Sequence, residues 1–230
     1  MSLLQTLADP DKRPWIKICG LTDPDNALAC SLLNPNAMGL VFFQKSPRNV
    51  SVNQAISITT VLPRNILTIG VFVDNSFQDI MEKVNQCALK GVQLHGKESP
   101  ELVDRLKKEN LFVIKTLFAA KKPYIRQAKD YLTASALLVE YGQGILPGGN
   151  AESWNYEISC RINVKCPVII AGGLSPDNVA RAVKTARPFG VDVSSGVEKT
   201  PGIKDLNKVE SFIAQATSMN DPSKRPGSFL

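Results

Sequence analysis

Short runs of apolar and β-branched residues recur along the chain at Trp15–Cys19, Met38–Phe43, Ile66–Val73, Gly91–Leu94, Leu111–Leu117, Ala136–Glu140, Pro167–Ala171 and Gly190–Ser194. Runs this short and this rich in Val and Ile read as strands. Between them lie segments of helical length with polar faces, such as Ser76–Gln86 and Glu101–Glu109. Strand alternating with helix calls for a parallel sheet, because parallel neighbours need a long crossover and the crossovers cover the sheet faces. Two junctions carry helix-start signals, an N-cap side chain with Pro at an early position. They are Thr22-Asp23-Pro24 before Asp25–Leu33 and Ser175-Pro176-Asp177 before Asn178–Thr185.

Eight such units in 230 residues predict an α/β fold, a single (β/α)8 TIM barrel. An open doubly wound sheet would show the same alternation. Its mark is missing, since no G-x-G-x-x-G follows the first strand, and the Gly-rich turns come after the seventh and eighth strands, where barrels often place phosphate. The expected organisation is an N-terminal extension at 1–14, the barrel at 15–217 and a flexible C-terminal tail at 218–230.

Composition changes this picture little. With 43% apolar and 21% charged residues the chain is an ordinary globule, and disorder is excluded for its bulk. No run approaches the roughly 20 apolar residues that cross a bilayer, and the first residues lack the basic-then-apolar order of an export signal. A cytoplasmic protein with no membrane partner is expected. Five cysteines, odd in number and without a C-x-x-C pair, argue against a disulfide framework and against a zinc site. The net charge of +6 is carried by scattered Lys and Arg, so no nucleic-acid partner is expected. It would favour the approach of a phosphorylated small molecule.

Barrel chemistry sits at the C-terminal strand ends, so the polar residues there are the candidates. Gly172 and Gly173 let backbone approach a ligand closely, and the following helix aims free N–H groups at the same spot. Ser194, Ser195 and Gly196 open the neighbouring turn and add donors for the same phosphate. Cys19 closes the first strand ahead of a Gly and a helix cap, a setting that can expose a thiol and lower its pKa; the bland alternative is a small buried hydrophobe. Cys30, Cys87, Cys160 and Cys166 take that bland reading. His95 is either a hydrogen-bonded core residue or a site residue. Arg48 is either a solvated charge or a bidentate clamp on a carboxylate. Asp192, between Val191 and Val193, is an acid in an apolar strand and must find a partner.

The segments Lys17-Ile18-Cys19-Gly20-Leu21-Thr22, Ser46-Pro47-Arg48-Asn49-Val50-Ser51, Gly70-Val71-Phe72-Val73, Val92-Gln93-Leu94-His95-Gly96, Ala171-Gly172-Gly173-Leu174 and Gly190 to Glu198, followed by Pro201-Gly202-Ile203-Lys204-Asp205, come in an order and spacing that resembles the phosphoribosylanthranilate isomerases of tryptophan biosynthesis. The resemblance spans residues 15–216. It implies an Amadori rearrangement that needs no cofactor, carried out by a monomer or homodimer on a small phosphorylated substrate. By similarity Cys19 would be the general base, Arg48 would hold the anthranilate carboxylate, and His95 and Asp192 would line the site. Gly172, Gly173, Ser194, Ser195 and Gly196 would hold the phosphate.

The chain departs from the family at the sixth strand. Where the family has Leu-Leu-Asp, a Gly-Gly-Thr/Ser-Gly loop and Phe-Asp-Trp, this chain has Leu137-Leu138-Val139-Glu140, Gly148-Gly149-Asn150-Ala151 and Trp154-Asn155-Tyr156. The family's aspartate is its general acid. Glu140 would take that place in one alignment and Val139 in another, with opposite outcomes, because adjacent strand residues face opposite ways. The departure leaves room for a paralogue that acts on another phosphorylated sugar, or for a barrel that binds a phosphorylated ligand without turnover.

Overall fold

A computed structural model describes residues 13–142, 154–162 and 164–218. The eight parallel strands are β1 (Trp15–Cys19), β2 (Ala37–Phe42), β3 (Leu67–Phe72), β4 (Gly91–Leu94), β5 (Phe112–Phe118), β6 (Ala136–Glu140), β7 (Val168–Ile170) and β8 (Gly190–Val193). They pair in sequence order, and β1 closes on β8 with Trp15 opposite Gly190 and Lys17 opposite Asp192. The closed parallel barrel is the fold that the alternation predicted. An antiparallel hairpin, β9 (Glu198–Thr200) and β10 (Ile203–Lys204), follows β8.

Among the described residues six helices lie outside: α1 (Pro24–Ser31), α2 (Val52–Val61), α3 (Phe77–Gln86), α4 (Pro100–Lys108), α5 (Val179–Ala186) and α6 (Leu206–Thr217). Asp23 caps α1 by accepting from the Asn26 N–H at 2.7 Å, as its Asp-Pro signal indicated. The Ser175-Pro176-Asp177 signal leads into a turn directly ahead of α5, which starts at Val179, one residue after the expected Asn178 and without a capping side chain. The physical reason is Asn178, whose side chain accepts from the Ser175 N–H and donates to the Gly173 carbonyl, stitching a turn in front of the helix. After β5 and β6 the described connections are 3-10 segments, Ile125–Tyr131 and Tyr156–Arg161, in place of helices.

Alternation along the strands sorts side chains between two cores. On β1, Ile16 and Ile18 join the layer between barrel and helices, while Trp15, Lys17 and Cys19 point into the lumen. Trp15 stacks on Phe112 and Phe189 and, with Ile69, Ile114, Ala136, Leu138 and Ile169, plugs the N-terminal end of the lumen. Above this plug the lumen turns polar, with Lys17, Gln93, Thr116 and Asp192 buried. Chemistry is thereby confined to the C-terminal mouth. Leu138→Ala should cut unfolding free energy by about 2–5 kcal/mol, read by denaturant titration; a loss well below 1 kcal/mol would mean the plug is not close-packed.

Candidate active site

A cavity of about 720 Å³, its open mouth included, lies at the C-terminal end of the barrel. Its walls hold Cys19 from β1, Arg48 from the loop after β2, Gln93 and His95 from β4 and its end, and Glu140 from β6. Gly172 and Gly173 follow β7, and Asp192, Ser194 and Ser195 belong to β8 and its turn. Val41, Phe43, Val71, Val73, Leu174 and Val193 supply an apolar wall. The cavity therefore combines apolar walls with side chains that can exchange protons or hold anions.

The two alignments at β6 are now separable by strand geometry. Leu138 belongs to the luminal plug and Glu140 lines the cavity, whereas Val139 is sealed in the layer beneath the helices. Glu140 Oε1 lies 3.2 Å from His95 Nε2. At the other edge of the imidazole, Gln93 Nε2 lies 2.8 Å from Nδ1, with Thr116 Oγ1 at 3.2 Å. Gln93 Oε1, the far end of the same amide, is buried with no hydrogen-bond partner among the described residues.

Cys19 does not match the exposed, acidified thiol that its sequence setting suggested. It is 93% buried, and that burial pushes its pKa up, with Lys17 opposing and Asp192 reinforcing. The sulfur nonetheless borders the cavity. Asp192 finds the partner that burial demands in Lys17, whose Nζ donates to Oδ1 at 2.8 Å. Burial alone would lower the Lys17 ammonium, but Asp192 and Cys19 outweigh it and hold it above its usual value. A lysine between Ile16 and Ile18, two residues before Cys19 and so on its face of the strand, was the signal for this pair that the sequence reading passed over.

Arg48 is largely buried, and the first bidentate clamp it makes is internal: Nε and Nη2 donate to the two Glu198 oxygens at 2.8 and 2.6 Å. The clamp on a ligand expected from sequence must therefore use the other edge of the guanidinium, Nη1 with the second Nη2 proton. Glu198 Oε1 also accepts from Lys204 Nζ at 2.7 Å and from the Gly202 N–H at 3.1 Å. Burial would raise the Glu198 carboxyl, but Arg48 and Lys204 hold it below its usual range. Glu198 and Lys204 entered the sequence reading only as parts of matching motifs.

Gly172 and Gly173 have φ of +84° and +66°, conformations that side chains resist, so the turn after β7 depends on both. Trp154 Nε1 donates to the Ala171 carbonyl at 2.8 Å and the Tyr156 hydroxyl to the Gly172 carbonyl at 2.7 Å. The Trp154-Asn155-Tyr156 segment, which departs from the family's pattern, thus braces this turn. Gly148-Gly149-Asn150-Ala151 lies outside the described residues, as do 1–12 and 219–230 of the terminal segments. Ser194 donates its hydroxyl to the Cys19 carbonyl at 3.0 Å. Gly196 follows directly on the cavity-lining Ser194 and Ser195. Its missing side chain lets the turn after β8 press against the Leu174 carbonyl and Ser175. Cys30, Cys87 and Cys166 are buried as expected of structural cysteines, whereas Cys160 is exposed, its thiol 3.5 Å from the Ala186 carbonyl.

Beneath the mouth, outside the lumen, Glu98 and Lys115 form a sealed ion pair at 2.6 Å. Glu98 also accepts from the Asp74 and Gly96 N–H groups, and Lys115 donates to the Leu94 and Gly96 carbonyls. The pair ties the ends of β3, β4 and β5 together and fixes the backbone that carries His95.

Glu198→Gln should remove a carboxylate whose folded-state pKa is depressed. Such a group contributes stability that is fully present above its unfolded pKa and is lost as pH falls through the folded one. The wild type minus variant difference in unfolding free energy should therefore shrink on acidification; a constant difference from pH 7 to pH 3 would contradict the pairing. Glu98→Ala should cost about 3–5 kcal/mol by stranding the Lys115 charge, whereas a cost near zero in denaturant titration would show that the pair does not staple the strand ends.

Residues 16–215 match the family described as N-(5'phosphoribosyl)anthranilate (PRA) isomerase. An N-(5'-phosphoribosyl)anthranilate isomerase of Desulfatibacillum aliphaticivorans is 46% identical over 202 residues, covering 88% of this chain and 92% of that protein. The crystal structure of the Thermotoga maritima phosphoribosyl anthranilate isomerase superposes with a TM-score of 0.81 at 32% identity, covering 89% of this chain and 99% of that one. A further isomerase structure, in complex with reduced 1-(o-carboxyphenylamino)-1-deoxyribulose 5-phosphate, gives a TM-score of 0.78 at 32% identity over the same shares. A closed eight-stranded barrel, a match along nearly all of it and the cavity at its mouth lead to one conclusion: the chain belongs to the N-(5'-phosphoribosyl)anthranilate isomerase family.

Proposed function

We infer that this protein isomerises N-(5'-phosphoribosyl)anthranilate to the 1-deoxyribulose 5-phosphate product in tryptophan biosynthesis, with Cys19 as general base and Glu140 as general acid. The observation that carries the residue assignment is that both side chains border one cavity, brought there from strands β1 and β6. A binding-only barrel would not need an acid and a thiol facing the same space, with the acid in turn oriented by His95.

In this reading Glu140, accepting from His95 on Oε1, gives a proton from Oε2 to the ribose ring oxygen. The C1–O bond breaks toward oxygen, and the anthranilate nitrogen lone pair forms a C=N bond. The Cys19 thiolate removes the C2 proton, and the electron pair moves to C1=C2 as the C=N electrons return to nitrogen. The resulting enol hydroxyl gives its proton to the Glu140 carboxylate while the Cys19 thiol protonates C1. Product is the ketose, and both side chains end as they began.

The substrate's ends fit the remaining walls. Arg48, held side-on by Glu198, turns its end-on edge to the anthranilate carboxylate, and Val41, Phe43, Val71 and Val73 offer the aromatic ring an apolar seat. The N–H groups of the Gly172-Gly173 turn and of the turn at Ser194 and Ser195 receive the phosphate, with Asp192 and His95 completing the walls. We read the active unit as a monomer or a homodimer. Among the described residues no helix is long and apolar enough to cross a membrane, and a cytoplasmic setting suits a reaction on a free phosphorylated metabolite.

Cys19→Ala and Glu140→Gln should each lower kcat by about 10²-fold or more, followed by the loss of anthranilate-ribosyl fluorescence with enzyme concentrations high enough to read the residual rate. Unchanged turnover in either variant contradicts that residue's role, and a wild type inactive on this substrate contradicts the reaction.

A further inference from the structure

A buried thiol is a poor base, because removing its surrounding water penalises the thiolate more than the neutral form. The proton-abstraction step therefore needs a positive charge close to the sulfur, and the lumen contains one. Lys17 is fully buried one strand pleat below Cys19, on the same face of β1. A Cβ added to Gly39, directly opposite on β2, would stand 2.7 Å from Cys19 Sγ and 3.2 Å from Lys17 Nζ. These two distances hold sulfur and ammonium within about 6 Å of one another. Asp192, opposite Lys17 on β8, fixes the ammonium through the 2.8 Å hydrogen bond to Oδ1.

We propose that Lys17 is the positioning residue of the base: its ammonium, braced by Asp192, carries the countercharge for the Cys19 thiolate during proton abstraction. The inference rests on the reading of Cys19 as general base and deepens it. The two neighbours act in opposite senses on the sulfur. Lys17 favours the thiolate, while Asp192 disfavours it directly and keeps Lys17 in place. Two further cations face the thiol, Lys204 from β10 and Arg48 from the loop after β2; Glu198 binds both and cancels one of the two charges, and of the cations it is Lys17 that acts most strongly on the sulfur. Lys17 therefore sets the balance. The arrangement also explains why a lysine lies in a barrel interior where an apolar residue would pack at less cost in desolvation.

The test is the pH dependence of Cys19 alkylation by iodoacetamide, read cysteine by cysteine through peptide mass spectrometry on the intact folded protein. Lys17→Met should move the alkylation midpoint of Cys19 upward by about one pH unit or more, and the acid limb of kcat/KM should move with it. Lys17→Arg, which keeps the positive charge, should leave the midpoint much closer to that of the wild type. A residue that mattered only for packing would give no such rescue by charge. An unchanged midpoint in Lys17→Met, or an equal upward shift in Lys17→Arg, overturns the proposal. Should Lys17→Met fail to fold, Lys17→Gln is read in its place, with the same upward shift expected. Alkylation needs no turnover, so this result is separate from the fate of the base assignment, which rests on the activity of Cys19→Ala.

Discussion

Closure of eight parallel strands imposes one constraint from which the rest of the site follows. Every second side chain of each strand is driven into a lumen from which water is largely excluded, and the strand ends converge on one mouth. Apolar residues fill the lower lumen, so any charged side chain above them must be paired within the barrel. Lys17 with Asp192 and Glu140 with His95 are the pairs this demand produces inside, and Glu198 with Arg48 and Lys204 repeats it at the rim. The chemistry assigned to the protein is a use of charges that the fold itself obliges to find partners.

The same constraint explains how an unusual residue at β6 is accommodated. Glutamate carries its carboxyl one methylene farther than aspartate, which on an unchanged scaffold would misplace an acid. Here the longer arm ends beside His95, whose other nitrogen is fixed by Gln93 and Thr116. A chain of side chains from β4, β5 and β6 thereby orients the Glu140 carboxyl in the cavity that Cys19 also lines. The backbone under His95 is in turn anchored by Glu98 and Lys115 on the outer face of the barrel wall.

Period and spacing made the fold legible before any coordinates: five-residue runs such as Trp15–Cys19 and Ala136–Glu140 are the observed strands, and the Asp-Pro signal at residues 23 and 24 is the observed start of α1. The site was partly legible, since residues at strand ends were read as candidates and the cavity gathers most of them. What sequence could not supply were pairings between distant positions. Residues 17 and 192, or 48 and 198, meet only because β1 closes on β8 and the loop after β2 leans on the hairpin after β8. Thiol exposure was misjudged for a related reason, as a strand-end residue next to Gly20 is covered by neighbours from other strands. At Gly196 a second demand was hidden, the close approach of the turn after β8 to the Leu174 carbonyl.

The account turns on sulfur and carboxyl acting on one sugar from different strands. A crystal structure of this protein with reduced 1-(o-carboxyphenylamino)-1-deoxyribulose 5-phosphate bound tests it most directly. The account places Cys19 Sγ within about 3.5 Å of the sugar's C1–C2 bond and a Glu140 oxygen within about 3 Å of the C4 hydroxyl that derives from the ring oxygen. A sugar bound with the sulfur shut behind other side chains, or with Glu140 turned away from that hydroxyl, would contradict it.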